Sequence, residues 1–138
     1  MRLEITRLEL DRIHNHAREG YPHEVVGILA GERDANSVTR VQPLLNERAD
    51  TVNRYRVDGL LVLRAEQAQA AEGLEVVGYY HSHPDHPAQY SEYDKDHALP
   101  HMSYLITAIH DGEITDTRSW RLEEDRSEMR EEKIQIEE

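Results

Sequence analysis

A chain of 138 residues can bury one real core but is too short for two domains. Its 28 acidic residues against 16 basic ones give a formal charge of −12, a surface that repels phosphate backbones and excludes nucleic acid as a partner. The absence of cysteine excludes both a disulfide framework and a thiolate metal site.

Leu3-Glu4-Ile5 reads as a short first strand rather than as the apolar run of a signal peptide, and no later segment approaches membrane-spanning length. The expectation is a cytoplasmic protein with no membrane partner. Thr6 and Glu9 match a capping box, and Leu10, Ile13 and Ala17 follow at helical spacing until Gly20 stops the helix. After Tyr21-Pro22, Val25, Val26, Ile28 and Leu29 form an apolar run ending at Gly31, a buried strand by pattern. Arg33-Asp34-Ala35-Asn36 is a turn, and Ser37 to Leu45 returns as the second strand of a hairpin. A polar connection, Asn46 to Asn53, leads to a helix from about Asp58 to Glu72 that ends at Gly73.

The run Leu74-Glu75-Val76-Val77-Gly78-Tyr79-Tyr80 is β-branched and aromatic enough for a strand. A loop from Pro84 to Tyr90 precedes a short helix starting near Ser91. Tyr104 to Ile109 forms another apolar strand, turned at Asp111-Gly112, and Ile114, Trp120 and Leu122 mark one more. From Glu123 onward eight acids face three bases, which predicts a solvated helix or frayed end, with Ile134 and Ile136 as a short terminal strand. The domain is therefore expected at 1–122 and an acidic C-terminal tail at 123–138. The fold class is α/β of the α+β type, a single mixed or antiparallel sheet flanked by helices.

The residues that carry chemistry are His81-Ser82-His83-Pro84, followed by Ser91 and Asp94. Histidines two apart on a strand point to the same side, because strand side chains alternate. Asp94 can return a carboxylate across a short loop to the same point. Two imidazoles and one carboxylate make a three-ligand set that leaves a zinc coordination position open, the arrangement of a catalytic rather than a structural site. Ser91 and Asp94 also read as a capping box, and both readings can hold at once, since a helix start fixes the direction of Asp94. Hydrolysis needs a base, and Glu24 is the upstream candidate. A carboxylate at the mouth of an apolar strand is costly to desolvate, which should push its pKa toward neutrality. His23-Glu24 does not begin a His-Glu-x-x-His motif, because the second histidine would fall at Gly27.

Together these residues resemble the JAMM (MPN+) metalloprotease family. Pro22, Glu24, Gly27 and Gly31 fit its Pro-x-Glu-x-x-Gly-x-x-x-Gly context, and His81, His83, Pro84, Ser91 and Asp94 fit its His-x-His-Pro and Ser-x-x-Asp elements. The resemblance spans Thr6 to about Leu122. It departs at Val26, often cysteine in relatives, and at Tyr90, often proline. It implies an MPN/cytidine-deaminase-like sandwich with one Zn2+ per chain, held by His81, His83 and Asp94. It also implies a zinc-bound water activated by Glu24 and an oxyanion hydrogen bond from Ser91. Through Ser119-Trp120 and the acidic tail, the chain is similar to compact bacterial and archaeal members that process sulfur carriers. The implied activity is hydrolysis of a peptide or isopeptide bond after the C-terminal Gly-Gly of a ubiquitin-like sulfur carrier. Such an extended tail could add as a strand beside a sheet edge. A homodimer is compatible with the sequence.

Two alternatives stand beside that reading. Two histidines and a carboxylate also form the facial triad of non-haem Fe(II) enzymes, although the helical segments argue against their all-β scaffolds. A non-catalytic MPN-type binding module is the other, although such members commonly lose ligands that are intact here. The remaining histidines carry no assigned role. His14 and His16 lie two apart on a helix and face different ways, and Pro100 interrupts the helical spacing of His97 and His101. His110-Asp111 is more simply a turn than a dyad, and His86 sits where it could tune substrate binding.

Overall fold

The computed structural model describes residues 1–46 and 59–138. Among these the elements run β1 (Arg2–Thr6), α1 (Arg7–Gly20), β2 (Val26–Glu32), β3 (Ser37–Leu44) and α2 (Gly59–Ala71). They continue with β4 (Glu75–Pro84), α3 (Glu92–His97), β5 (Ser103–His110), β6 (Glu113–Leu122) and β7 (Met129–Glu137). Most of the connection expected at 46–53, and the expected helix start at Asp58, fall outside the described residues. No described helix is long and apolar enough to cross a membrane.

Local chemistry sets most element boundaries. The Thr6 hydroxyl accepts the Glu9 amide at 3.3 Å and opens α1, as the capping pattern predicts, while the Glu9 carboxylate turns instead to Arg12. Asp111 and Gly112 both take positive φ, 50° and 83°, the geometry of the tight turn that joins β5 to β6.

The strands form one mixed sheet in the order β1-β3-β2-β4-β5-β6-β7, which closes on itself. β4 and β5 run parallel, with His81 beside Ile106 and His83 beside Ala108, and β2 flanks β4 antiparallel on the other side. The strand that carries the histidines therefore lies inside the sheet.

One face of the sheet packs on α1. Leu10, Ile13 and Ala17 meet Leu3, Ile5, Leu29, Val38, Val77, Tyr80, Leu105 and Ile109 in the main core. Ile28 and Val76, on the opposite face, pack on Ala65 of α2. A bulge divides the two faces on β4: Leu29 pairs Gly78 and Ala30 pairs Val76, leaving Val77 as the extra residue. Val77 and Tyr80 then share the α1 core despite their odd separation. Tyr80 is fully buried, and its ring occupies the space above Gly27, where an added Cβ would lie 2.2 Å from a ring carbon. That close approach explains the glycine.

The acidic C-terminal stretch holds the strand expected at Ile134 and Ile136, longer than the sequence predicts. It is neither helix nor frayed end, but β7, which pairs with β1 in parallel (Leu3 with Ile134, Ile5 with Ile136) and with β6 antiparallel. The physical reason is Glu132, only 2% exposed. Its carboxylate accepts hydroxyl bonds from Ser103 at 2.5 Å and Ser119 at 2.7 Å, with Arg121 3.8 Å away. A count of charges does not distinguish this internal acid from its solvated neighbours.

α1 also carries two half-buried histidines. His14 Nε2 lies 2.9 Å from the Thr117 hydroxyl and His16 Nδ1 lies 2.7 Å from the Tyr80 hydroxyl. Burial lowers both pKa values below the ordinary 6.5. Above 6.5 both are neutral whether the chain is folded or unfolded; as pH falls through 6.5 the unfolded chain takes up protons first, and stability declines. We expect the melting temperature of a His14→Gln, His16→Gln double variant, measured from pH 7 to pH 5, to fall less steeply than that of the parent.

Candidate functional site

The pleat of β4 sets the first two ligand candidates. Tyr80 and Ser82 turn toward the strand's other face, so His81 and His83 project side by side, with ring centroids 5.0 Å apart. The third group comes from α3. Ser91 caps that helix: its hydroxyl accepts the Asp94 amide at 3.1 Å, and its amide donates to Asp94 Oδ2 at 2.9 Å. The capping box and the site geometry are thus the same feature, because the reciprocal bond aims the Asp94 carboxylate back at β4.

The three side chains converge. Nε2 of His81 lies 3.1 Å from Asp94 Oδ1, Nε2 of His83 lies 3.2 Å from Asp94 Oδ2, and the two Nε2 atoms are 3.2 Å apart. All three residues are buried. His83 Nδ1 faces the Pro87 carbonyl at 2.8 Å, so this nitrogen carries the proton and Nε2 offers a lone pair to the centre. Ligands about 2.0–2.1 Å from a tetrahedral ion stand about 3.3 Å apart, which the observed triangle matches closely. The residues fit a zinc-sized cation.

The electrostatics agree with that fit. Burial would raise the Asp94 pKa, but the two imidazoles and the Ser91 amide overcome it and hold the carboxyl well below the usual carboxylate range. Burial would lower the pKa of His83. Asp94, the Pro87 carbonyl and the charge of Glu24 together raise it instead. The pocket attracts positive charge.

Glu24 reaches the site through Ser82, the residue between the histidines. The Ser82 hydroxyl accepts the Val25 amide at 2.9 Å, and the Ser82 amide donates to the Val25 carbonyl at 3.1 Å. Val26 pairs with His81, so the same register sets Glu24 opposite His83. Asn46 donates to the Glu24 carbonyl at 2.7 Å from the end of β3. Glu24, His83, Ser91 and Asp94 then line one cavity of about 480 Å3 with His86, Pro87, Gln89, Glu92 and Tyr93. Glu24 itself is 5% exposed. All five residues singled out from the sequence, Glu24, His81, His83, Ser91 and Asp94, meet at this place.

Sequence reasoning passed over Ser82, Asn46 and Asp85. Asp85, at φ 58°, receives the Tyr21 hydroxyl on both oxygens at 2.9 and 2.8 Å, tying the loop before Glu24 to the loop after His83. A polar residue between two candidate ligands was the available signal for Ser82; nothing local marks Asn46. His14 and His16 face different partners, as expected, and His97 bonds back to the Tyr93 carbonyl at the end of α3. Asp85, His110 and Asp111 gather into a second group, but all three are exposed.

Residues 8–123 match the family described as prokaryotic homologues of the JAB domain. Desampylase of Haloferax volcanii is 37% identical over 119 residues, which cover 83% of this chain and 85% of that protein. The probable TtuB-protein conjugate cleaving protease of Thermus thermophilus is 36% identical, covering 75% of this chain and 68% of its own length. The CysO-cysteine peptidase of Mycobacterium tuberculosis is 32% identical, covering 78% and 73%. Among solved structures, a protein from Desulfitobacterium hafniense superposes with a TM-score of 0.85 at 30% identity, over 100% of this chain and 94% of that one. A structure described as a metalloprotease-like zinc site in the proteasome and signalosome shares the fold, with a TM-score of 0.60 at 16% identity over 100% of both chains.

We expect Zn2+ at a hundredfold excess over its dissociation constant to stabilise the protein by about 2.7 kcal/mol, read as a rise in melting temperature. Asp94→Asn should abolish most of that rise, because it removes the anionic ligand and leaves the fold intact.

Proposed function

The chain belongs to the family of prokaryotic homologues of the JAB domain, and on that premise we propose that it is a zinc-dependent peptidase acting on ubiquitin-like sulfur-carrier proteins. The bond cut is the peptide or isopeptide bond that follows the carrier's C-terminal Gly-Gly. The observation that carries this reading is the triangle of His81, His83 and Asp94 at 3.1–3.2 Å with Glu24 on the wall of the same cavity. The relatives named for desampylation, for cleaving TtuB conjugates and for CysO-cysteine hydrolysis support the substrate class.

His81 and His83 would hold the ion through Nε2, and Asp94 through its carboxylate. Zinc bound there would supply a Lewis acid that polarises the scissile carbonyl and lowers the pKa of a water to about 7. Glu24 would take the proton of the attacking water and pass it to the departing amine, the two halves of general acid–base catalysis. It lies buried on the wall of the cavity that His83, Ser91 and Asp94 also line. Ser91 accepts the Asp94 amide through its oxygen, which leaves its hydroxyl proton to donate to the oxyanion. Its exposure at the cavity suits contact with substrate. β4 is flanked on both sides, so the Gly-Gly tail would cross the cavity mouth rather than extend the strand that carries the histidines.

The test is incubation with carrier proteins extended beyond Gly-Gly, followed by mass spectrometry, with and without a chelator. Cleavage after the second glycine that stops with chelator supports the proposal. A zinc-loaded protein that binds the carrier and leaves it intact overturns it in favour of a binding module. Glu24→Gln should keep the metal and lose about 10²–10⁴-fold of kcat; near-normal turnover would remove Glu24 from its role.

A further inference from the structure

Trp120 is the only tryptophan of the chain, and it lies beneath the loop that joins the two halves of the ligand set. On β6, opposite Tyr104 of β5, its side chain enters the second core with Ala88, Ala98, Ile106, Ala108, Leu122 and Met129. The indole is 6% exposed, and its Nε1–H donates to the Ala88 carbonyl at 3.0 Å. Ala88 is itself 2% exposed, so neither member of this bond has water as an alternative.

The neighbours of that bond are what matter. One residue before Ala88, the Pro87 carbonyl receives His83 Nδ1 at 2.8 Å. Two residues after it, Tyr90 meets the indole edge-on, with centroids 5.1 Å apart at 67°. Tyr90 in turn precedes Ser91, whose cap aims Asp94. The loop is fixed at its start by the Asp85 amide, which donates to the Ile109 carbonyl at 2.7 Å. From Pro87 to Tyr90 the loop meets His83 Nδ1 at the Pro87 carbonyl and the indole at Ala88 and Tyr90.

We propose that Trp120 is the positioning residue of the metal site, setting His83 through the Pro87 carbonyl and Asp94 through Tyr90 and the Ser91 cap. Losing the indole N–H leaves the Ala88 carbonyl buried without that donor and lets the loop relax. The Pro87 oxygen then drifts from His83 Nδ1, and Ser91 drifts from β4. Outer partners of this kind typically govern about 10–100-fold of metal affinity. The inference rests on reading His81, His83 and Asp94 as a metal site, and its test separates the two.

Because Trp120 is the sole tryptophan, residue-wide replacement by benzothienylalanine changes one position, exchanging the indole N–H for a sulfur that cannot donate while keeping the bicyclic ring. Zinc affinity is measured by competition with a chelator of known affinity, well below the melting temperature of either form. The expected result is a dissociation constant about 10–100-fold weaker than that of the parent. A lower melting temperature with zinc affinity within twofold of the parent would show a merely structural residue and overturn the proposal. Should the replaced protein not fold, the unsubstituted chain still decides: zinc addition must shift the indole Nε1–H resonance in step with occupancy. An unmoved resonance on a zinc-loaded protein overturns the proposal. A parent that takes up no zinc overturns the metal site itself, and this inference with it.

Discussion

Asp94 carries a negative charge into a buried place between two imidazoles, and that charge is the interaction on which the rest of the site depends. A carboxylate stripped of water is costly unless hydrogen bonds and positive charge surround it. The Ser91 amide and the histidine nitrogens supply part of that compensation, and they keep the carboxyl ionised. A cation at the centre of the triangle would supply the remainder. One proton shared among three donors satisfies one pair at a time, whereas a metal ion satisfies all three together. The same physics that makes the site expensive therefore makes it selective for what fills it.

The sheet supplies the rigidity this needs. β4 pairs with β2 as far as His81 and with β5 through His83, which fixes the register of the two histidines. Ser82 serves the opposite face: by bonding both backbone groups of Val25 it passes the stiffness of β4 to Glu24, which lies outside any strand. The Tyr21–Asp85 contact makes a second tie between the same two segments. Glu24 and the His81–His83–Asp94 group, more than fifty residues apart in the chain, are thereby tied together.

Much of this was legible in the sequence because it depends on local spacing. His-x-His reads from the period of a strand, and Ser91 and Asp94 read from the geometry of a helix start. Both hold in the structure for the physical reasons that made them readable. What could not be read is what depends on distant residues. The terminal strand at Ile134 and Ile136 is readable, but a count of charges leaves the acids before it in solvent; only the hydroxyls of Ser103 and Ser119 reveal that Glu132 belongs inside. The bulge at Val77 resets the alternation of β4 because of register with β2, which no pattern within β4 records. Trp120 is readable as part of a strand, whereas its hydrogen bond to Ala88 lies across thirty-two positions of sequence.

The pairing of β1 with β7 has a temporal side. Residues 2–6 lie against residues 133–137, so β1 must wait for β7, which is synthesised well over a hundred residues later. Bringing such remote segments together closes the largest loop the described strands contain, the slowest kind of contact for a folding chain to make. Until then Ser103 and Ser119 have no buried acid to receive their hydroxyls, and one seam of the sheet stands open. A chain that lacks β7 holds His81, His83 and Asp94 yet not the completed sheet behind them, so loss of that strand acts at the seam first.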